Sequence, residues 1–374
     1  MSTCDFLIVG AGMAGASVGY ELALHGRVVL VEREEMPGYH STGRSAAQFL
    51  ESYGNESVRR LTHASRAFFE DPPEGFADHP LLTPRGALFV GREEQRERLD
   101  ETLAEVQALV GTARELPRNT ALELVPVLRE DYVAAAFYEP DSMDMDVAAI
   151  HHGYLKGLRR RGGRIATRAE VRRLSRVGDA WEVETAAGRF SAPIVVNAAG
   201  AWCDEIARLA GVPPIGLTPR RRTAITFDAP PGVDAARWPL VIDVDETFYF
   251  KPEAGRILAS PADETPTPPG DARPEELDVA IIVDRLQRVT TLSVPRIAHK
   301  WAGLRTFSAD NTPVAGMAQA APGFFWLAGQ GGYGIATAPA LARAASALLL
   351  EDRLPDDLLR LGLTRGALAP SRFP

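Results

Sequence analysis

Short, wholly apolar runs alternate with amphipathic stretches along this chain. Phe6-Leu7-Ile8-Val9 and Val28-Val29-Leu30-Val31 leave no polar side for solvent, which predicts strands covered on both faces, as in a parallel sheet. Residues 14–25 between them carry helical spacing, so residues 5–32 predict one βαβ unit. Ile194-Val195-Val196-Asn197 and the run 324–328 repeat the buried-strand pattern. Each enters a turn of small residues and then a helix, over 202–209 and from near Gly334 to about Leu350. Amphipathic helices are predicted over 56–70, 93–110 and 147–160, the last capped by Asp146. Strands are predicted at 86–90, 132–138, 163–167 and 181–185. Beyond Arg222 the pattern changes. Apolar pieces at 222–227, 240–243, 247–251 and 256–260 are separated by Pro and Gly, which predicts a mixed or antiparallel sheet. One long helix, over 274–292, interrupts it.

The turn of the βαβ unit reads Gly10-Ala11-Gly12-Met13-Ala14-Gly15, and Glu32 closes its second strand. In that context G-x-G-x-x-G is a dinucleotide-binding turn. Gly10 permits the tight turn, Gly12 lets the backbone approach a pyrophosphate, and Gly15 lets helix and strand pack closely. The helix N-terminus offers N–H groups and a positive dipole end to the phosphates, while Glu32 suits ribose hydroxyls. Nothing in this unit separates FAD from NAD. A second glycine loop, Gly329-Gln330-Gly331-Gly332-Tyr333-Gly334, also enters a helix. A helix starting near Gly334 would aim its positive end at the N1/C2 edge of a flavin, which gains negative charge on reduction. Pro339 is tolerated in its first turn.

With 374 residues the chain suits two lobes. Nucleotide-type elements occur at the start, middle and end, so the lobes are interleaved: residues 1–50, 146–215 and 300–374 for FAD, 51–145 and 216–299 for substrate. The expected class is mixed α/β, a Rossmann-like domain combined with a mixed-sheet domain. Hydrophobic and charged fractions of 45% and 24% describe a soluble globular protein. A net charge of −8 argues against general binding of nucleic acid or anionic membrane. No apolar run approaches the roughly 18–20 residues of a membrane span. Only Cys4 and Cys203 are present, which excludes a disulfide framework or a cysteine metal cluster. The first strand starts by Asp5, so no cleaved signal peptide and a reducing cytoplasmic location are expected.

The loop Pro37-Gly38-Tyr39-His40-Ser41-Thr42-Gly43-Arg44-Ser45-Ala46-Ala47 is rich in turn formers and predicts a short helix near Arg44, capped by Ser41 or Thr42. With Gly10 to Gly15, Glu32-Arg33, Val195 to Trp202, Trp301 to Arg305, Asp310, Pro313-Val314 and Gly329 to Gly334, the chain resembles the D-amino-acid oxidase superfamily of FAD oxidoreductases. That group also holds glycine oxidase and sarcosine oxidase. The likeness is strongest to the bacterial FAD-dependent D-arginine dehydrogenases, through residues 37–47 and 330–335, and runs nearly end to end.

The resemblance implies that Glu32 and Arg33 hold the adenosine half of FAD and that the backbone of Val171 meets the adenine. Ser41, Thr42, Gly43, Arg44, Ser45, Ala46, Ala47 and Gln48 would line the pyrophosphate and flavin. Gly331, Gly332, Tyr333, Gly334 and Ile335 would border the flavin ring. Met13, Ala14, Ala199, Gly200, Trp202, Gly303 and Arg305 complete the implied cofactor set. Some relatives tether the flavin through a cysteine where this chain has Gly303, so the FAD is expected to be non-covalent.

Oxidising an amino acid requires a pinned carboxylate and a Cα–H aimed at the flavin, and a guanidinium forks onto a carboxylate. In the run Arg220-Arg221-Arg222, strand alternation puts Arg220 and Arg222 on one face and Arg221 on the other. Spacing alone does not separate a solvated charge run from a ligand. By resemblance, Arg222 and Arg305 bind the carboxylate and Tyr53 and Tyr249 stand at the substrate, with Gly332 and Tyr333 nearby. Three positions depart from the arginine enzymes: Ala87 replaces an acid, Gln48 a histidine and Ala336 a polar residue. Burying a cationic side chain without a counter-charge costs roughly several kcal/mol.

The expectation is therefore oxidative deamination of neutral or hydrophobic D-amino acids to 2-oxo acids and ammonia. The electron acceptor is oxygen or a quinone-like molecule, the latter allowing peripheral membrane association. The rivals are a glycine- or sarcosine-type amine oxidase, a 2-hydroxy-acid dehydrogenase and a non-catalytic flavoprotein. His151-His152 read as part of a surface helix, and Asp141, Asp144 and Asp146 lack the glycine and glutamate of a calcium loop. Ser45 has no nucleophile elbow, and no side chain stands out as a general base.

Overall fold

The computed structural model describes residues 1–108 and 110–373. Among them, six strands form one sheet in the order Arg164–Ala166, Val28–Val31, Phe6–Val9, Ile194–Asn197, Phe324–Ala328, Val314–Met317. The first five run parallel and the last is antiparallel. The unbroken apolar sequences of Phe6–Val9, Val28–Val31 and Phe324–Ala328 follow from cover on both faces. Ile8, Leu30, Val196 and Phe325 pack with Val18 and Leu22 of helix Met13–Leu22, Leu158 of helix Val147–Arg160 and Leu341 of helix Ala338–Glu351. Leu7, Val9, Val29 and Val195 point the other way, against Leu174, Trp181, Val183 and Phe190 of a small four-stranded sheet.

A second, larger sheet carries the order Arg114–Leu116, Ala135–Glu139, Ala87–Gly91, Leu240–Asp243, Tyr249–Glu253, Arg256–Ser260, Thr218–Phe227, with His299–Phe307 on the far side of the last strand. It is mixed, as expected, because Leu240–Asp243 pairs in parallel with Ala87–Gly91 and the other named pairs are antiparallel. Helix Glu276–Val289 covers one face through Val279, Ile282, Leu286 and Val289. The opposite face is covered at Phe89, Phe137 and Ile242 by helix Arg96–Gln107, and at Arg222, Tyr249 and Arg305 it looks into the space between the two sheets.

Several elements differ from the sequence expectation. The strand His299–Phe307 was not foreseen, and its residues were grouped with the FAD part. It pairs along its whole length with Thr218–Phe227, from Thr218 opposite Phe307 to Thr226 opposite His299. Its buried Ala302, Leu304 and Thr306 alternate with half-buried Trp301, Gly303 and Arg305, a half-polar pattern that resembles a loop locally. Helix Glu56–Glu70, which the sequence pattern assigns to the substrate part, packs on helix Ala338–Glu351, where Ser65 Oγ accepts from Ala340 N at 3.2 Å. That helix starts at Ala338 rather than near Gly334, after turns in which Thr337 N donates to Tyr333 O at 3.0 Å. Pro339 accordingly sits at its very start, where a missing N–H is harmless. The expected helix 93–110 is a short turn, Glu93–Gln95, followed by Arg96–Gln107; residue 109 lies outside the described residues. Asp146 does cap its helix, Oδ1 accepting from Ala149 N at 2.8 Å.

Candidate active site

An elongated cavity of about 1790 Å³, counted to its open mouth, lies between the two sheets. One end is lined by Glu32, Arg33, Val171 and Trp202, the other by Arg222, Tyr249 and Arg305. Gly10, Gly12, Met13, Ala14, Ser41, Thr42, Arg44, Ser45 and Ala46 form the wall between, with Ala199, Gly200, Gly303, Gly331, Gly332, Gly334 and Ile335.

The dinucleotide end is shaped by backbone. Gly10 has φ +102°, and a Cβ there would stand 2.5 Å from Ala198 O. At Gly15 it would stand 1.8 Å from Gly10 O. No side chain fits either place, so Gly15 works behind the wall. Glu32 is buried at the end of its strand; Oε2 accepts from Ala11 N at 2.8 Å and Oε1 from Glu34 N at 3.0 Å. Each oxygen keeps a second lone pair for a hydroxyl. The Met13 N–H, expected to be free for phosphate, donates instead to Thr42 Oγ1 at 3.0 Å. Neither Ser41 nor Thr42 caps the turn Thr42–Arg44: Thr42 serves the glycine-loop helix, and Ser41 Oγ donates to Leu304 O at 2.6 Å. Arg33 lies over the Trp202 ring at 4.9 Å. His151, expected on a surface helix, is buried, and its Nε2 lies 2.8 Å from Ala11 O. A carbonyl only accepts, so Nε2 carries the proton. Burial holds this imidazole below its ordinary pKa. The signal was present in the stripe His151, Tyr154, Leu155, Leu158 of one helix face.

The loop 41–46 is fastened to the strand His299–Phe307. Arg44 Nη1 donates to Ala302 O at 3.2 Å and Trp301 Nε1 to Arg44 O at 3.0 Å, while Arg44 also pairs with Asp271. Gly43 and Ala47 do not line the cavity.

At the arginine end, strand register decides which side chains meet. Arg222 stands opposite Gly303, and Arg220 opposite Arg305. Arg220, Arg222 and Arg305 therefore share the cavity-side face. Arg221 takes the other face, as alternation predicts, and is buried with Asp278, which accepts from its Nη2 at 2.9 Å. Arg222 lines the cavity but is already engaged: Nη2 donates to Glu264 Oε1 at 2.8 Å and Nε to Asp263 O at 2.9 Å. Arg305 has no carboxylate partner among the described residues, and its Nη1 donates to the Tyr53 hydroxyl at 3.1 Å. Burial alone would lower its pKa, yet Tyr53, Tyr249, Glu264 and Glu246 together raise it, so the guanidinium stays charged. Gly332 lies against it, and a Cβ there would be 2.9 Å from Arg305 Nη1.

Tyr53 and Tyr333 are not in the wall; they stand behind Arg305 and Gly332, edge to face with ring centroids 5.2 Å apart. Burial raises the Tyr53 phenol pKa. Gln48 also lies outside the wall; its Nε2 donates to Ser142 Oγ at 2.9 Å and its buried Oε1 has no partner. Ala87 is fully enclosed among Leu50, Phe89, Tyr53 and Tyr249. Its antiparallel partner is Glu139, a buried carboxyl that sequence reasoning missed and whose pKa burial pushes up to about 7. Glu264 and Asp263 were missed as well, because nothing in their Pro-rich stretch marks them locally.

These residues fit a flavin dinucleotide. A glycine turn closed to any side chain, a ribose-competent Glu32 and one cavity lined from Arg33 to Arg305 suit its pyrophosphate, ribose and ring. The FAD dependent oxidoreductase family model matches residues 5–348. A mitochondrial dimethylglycine dehydrogenase of Rattus norvegicus is 26% identical over 386 residues, covering 96% of this chain and 44% of that protein; the chain spans less than half that relative's length. The fold is shared with glycine oxidase from Geobacillus kaustophilus (TM-score 0.83, 23% identity, 98% of this chain and 99% of that one). It is equally close to L-alpha-glycerophosphate oxidase from Mycoplasma pneumoniae with FAD bound (TM-score 0.83, 21% identity, 93% and 95%). No helix among the described residues is long and apolar enough to cross a membrane. FAD is the cofactor of this protein, and the chain belongs to the FAD dependent oxidoreductase family.

Proposed function

We propose that this chain oxidises the Cα–N bond of a D-amino acid with a neutral side chain, giving an imino acid that water hydrolyses to a 2-oxo acid and ammonia. One observation carries the reading: at the end of an FAD cavity, Arg305 presents a guanidinium whose partner is a hydroxyl rather than a carboxylate. A half-buried cation facing a cavity in that state is a receptor for an anion. Bound FAD supplies the two-electron acceptor for the Cα hydride. Arg305 grips the substrate carboxylate, assisted by the free edge of Arg222. Tyr249 forms the facing wall, and Tyr53 and Tyr333 hold Arg305 in place from behind. No side chain is assigned as general base, so the amine reaches the site already neutral.

The likeness of residues 37–47 and 330–335 to D-arginine dehydrogenases supports the D configuration. Ala87 supports a neutral side chain, and so does Glu139 opposite it, which burial drives toward its uncharged form. Glu32, Arg33 and Val171 take the adenosine half of FAD, and Gly331 to Ile335 border the ring. A non-covalent flavin is supported by Gly303 and by Cys4 and Cys203, which are buried away from the cavity wall. A second reading, a glycine- or sarcosine-type amine oxidase, is favoured by the dimethylglycine dehydrogenase and glycine oxidase among the similar proteins.

Anaerobic mixing of the yellow protein with D-amino acids, L-amino acids, glycine, sarcosine and a 2-hydroxy acid tests both. The visible flavin band should fade fastest with neutral D-amino acids, and admitting air then shows whether oxygen is the acceptor. A kcat/KM highest for D-Arg or D-Lys overturns the side-chain assignment, and fading with glycine or sarcosine alone selects the second reading.

A further inference from the structure

Glu264 lies between two arginines on the cavity-side face of the large sheet. Its Oε1 accepts from Arg222 Nη2 and its Oε2 from Arg220 Nη1, each at 2.8 Å. The segment that delivers it is anchored to the same strand, because Asp263 accepts from Thr223 N at 2.6 Å and from Thr223 Oγ1 at 3.1 Å. Ala262 just before it has φ +53°, a conformation alanine adopts only when its surroundings impose it. The carboxylate thus occupies one edge of Arg222, an arginine that lines the cavity. Arg305, one strand away and in register with Arg220, has no such companion among the described residues.

We propose that Glu264 is a resident carboxylate that sets the charge the site accepts: it neutralises Arg222 on one edge, leaves Arg305 as the cavity arginine with no carboxylate hydrogen-bonded to it among the described residues, and restricts substrates to those with one carboxylate. This deepens the proposed function and rests on its claim that Arg305 anchors an acid. A ligand with a second carboxylate would bring that charge toward Glu264. Two like charges a few ångströms apart near a protein surface weaken binding on the order of tenfold to a hundredfold.

The test uses FAD-loaded protein and two unreactive anions, propionate and succinate, with binding read from the shift of the visible flavin band. In Glu264→Gln, which keeps the shape and removes the charge, succinate should gain about a hundredfold in affinity and propionate about tenfold. Steady-state kinetics should show the same change, kcat/KM for D-Asp and D-Glu rising relative to D-Ala. Arg220→Gln moves the charge the other way. Glu264 then faces Arg222 alone, and both anions should weaken, succinate more. An unchanged succinate-to-propionate ratio in Glu264→Gln overturns the proposal. If that variant does not retain FAD, an unchanged ratio in Arg220→Gln overturns it instead. Wild-type protein that binds neither anion removes the proposed function itself, and this inference with it.

Discussion

At the dinucleotide end of the cavity the shaping residues are neighbours in sequence: 10–15 in a turn, Glu32 one strand later and Thr42 in the next loop. They act through backbone and absent side chains, as at Gly10 and Gly15, where an added methyl would strike a carbonyl oxygen. At the arginine end, Arg222, Tyr249 and Arg305 come from three different strands, and the groups that restrain them come from further segments still: Glu264 for Arg222 and Tyr53 for Arg305. The first region is limited by volume and the second by charge. It follows that the two ends should fail differently when altered.

The largest effect is expected from Gly15→Ala. Its methyl has no space beside Gly10 O, and relieving the clash would deform the turn at a cost of about 3 kcal/mol or more. The variant should lose its yellow colour on gel filtration and melt at a lower temperature. A protein that keeps the wild-type ratio of visible to ultraviolet absorbance would show that the turn yields, and the contrast between the two ends would be gone.

Two arginines on opposite faces of the large sheet sharpen the contrast. Arg305→Met should keep FAD but lower kcat/KM for a carboxylate substrate on the order of 100-fold to 1000-fold. Arg221→Met removes the partner of buried Asp278 on the opposite face of the sheet, and breaking a buried pair costs about 3 kcal/mol. Denaturant melts should therefore fall for Arg221→Met while its KM stays within about twofold of wild type. The converse pattern, activity lost at Arg221 and kept at Arg305, would reverse the two faces.

The smallest effect probes the wall behind Tyr249. Unfolded, the Glu139 carboxyl ionises near its ordinary 4.5; folded, burial raises this to about 7. Between those values the folded chain holds a proton that the unfolded chain has released. The stability this group contributes is therefore complete below about pH 4.5 and lost as pH rises through about 7. Glu139→Gln, uncharged throughout, should be more stable than wild type by about 2 kcal/mol at pH 8 and nearly equal to it at low pH. Parallel melts that show the same slope in both proteins would place the titration elsewhere.

Much of the dinucleotide end was legible in the sequence because its signals are local. Strands covered on both faces are almost wholly apolar, so Phe6–Val9, Val28–Val31, Phe324–Ala328 and, but for its final asparagine, Ile194–Asn197 could be read residue by residue. The two-residue period of a strand likewise separated Arg221 from its neighbours before any partner was known. His151 shows the limit of local reading even here. Its helix was foreseen, but its contact with Ala11 spans 140 residues.

By itself, then, the sequence determined the βαβ cradle and the alternation of the arginine run, since each depends on side chains a few positions apart. Only the tertiary structure decided that His299–Phe307 is a strand, that Arg222 is already held by Glu264 and that Arg305 meets Tyr53 across 252 residues. The reason is physical: an antiparallel register brings distant charges onto one face, and which of them end up paired depends on long-range packing that no short window of residues encodes.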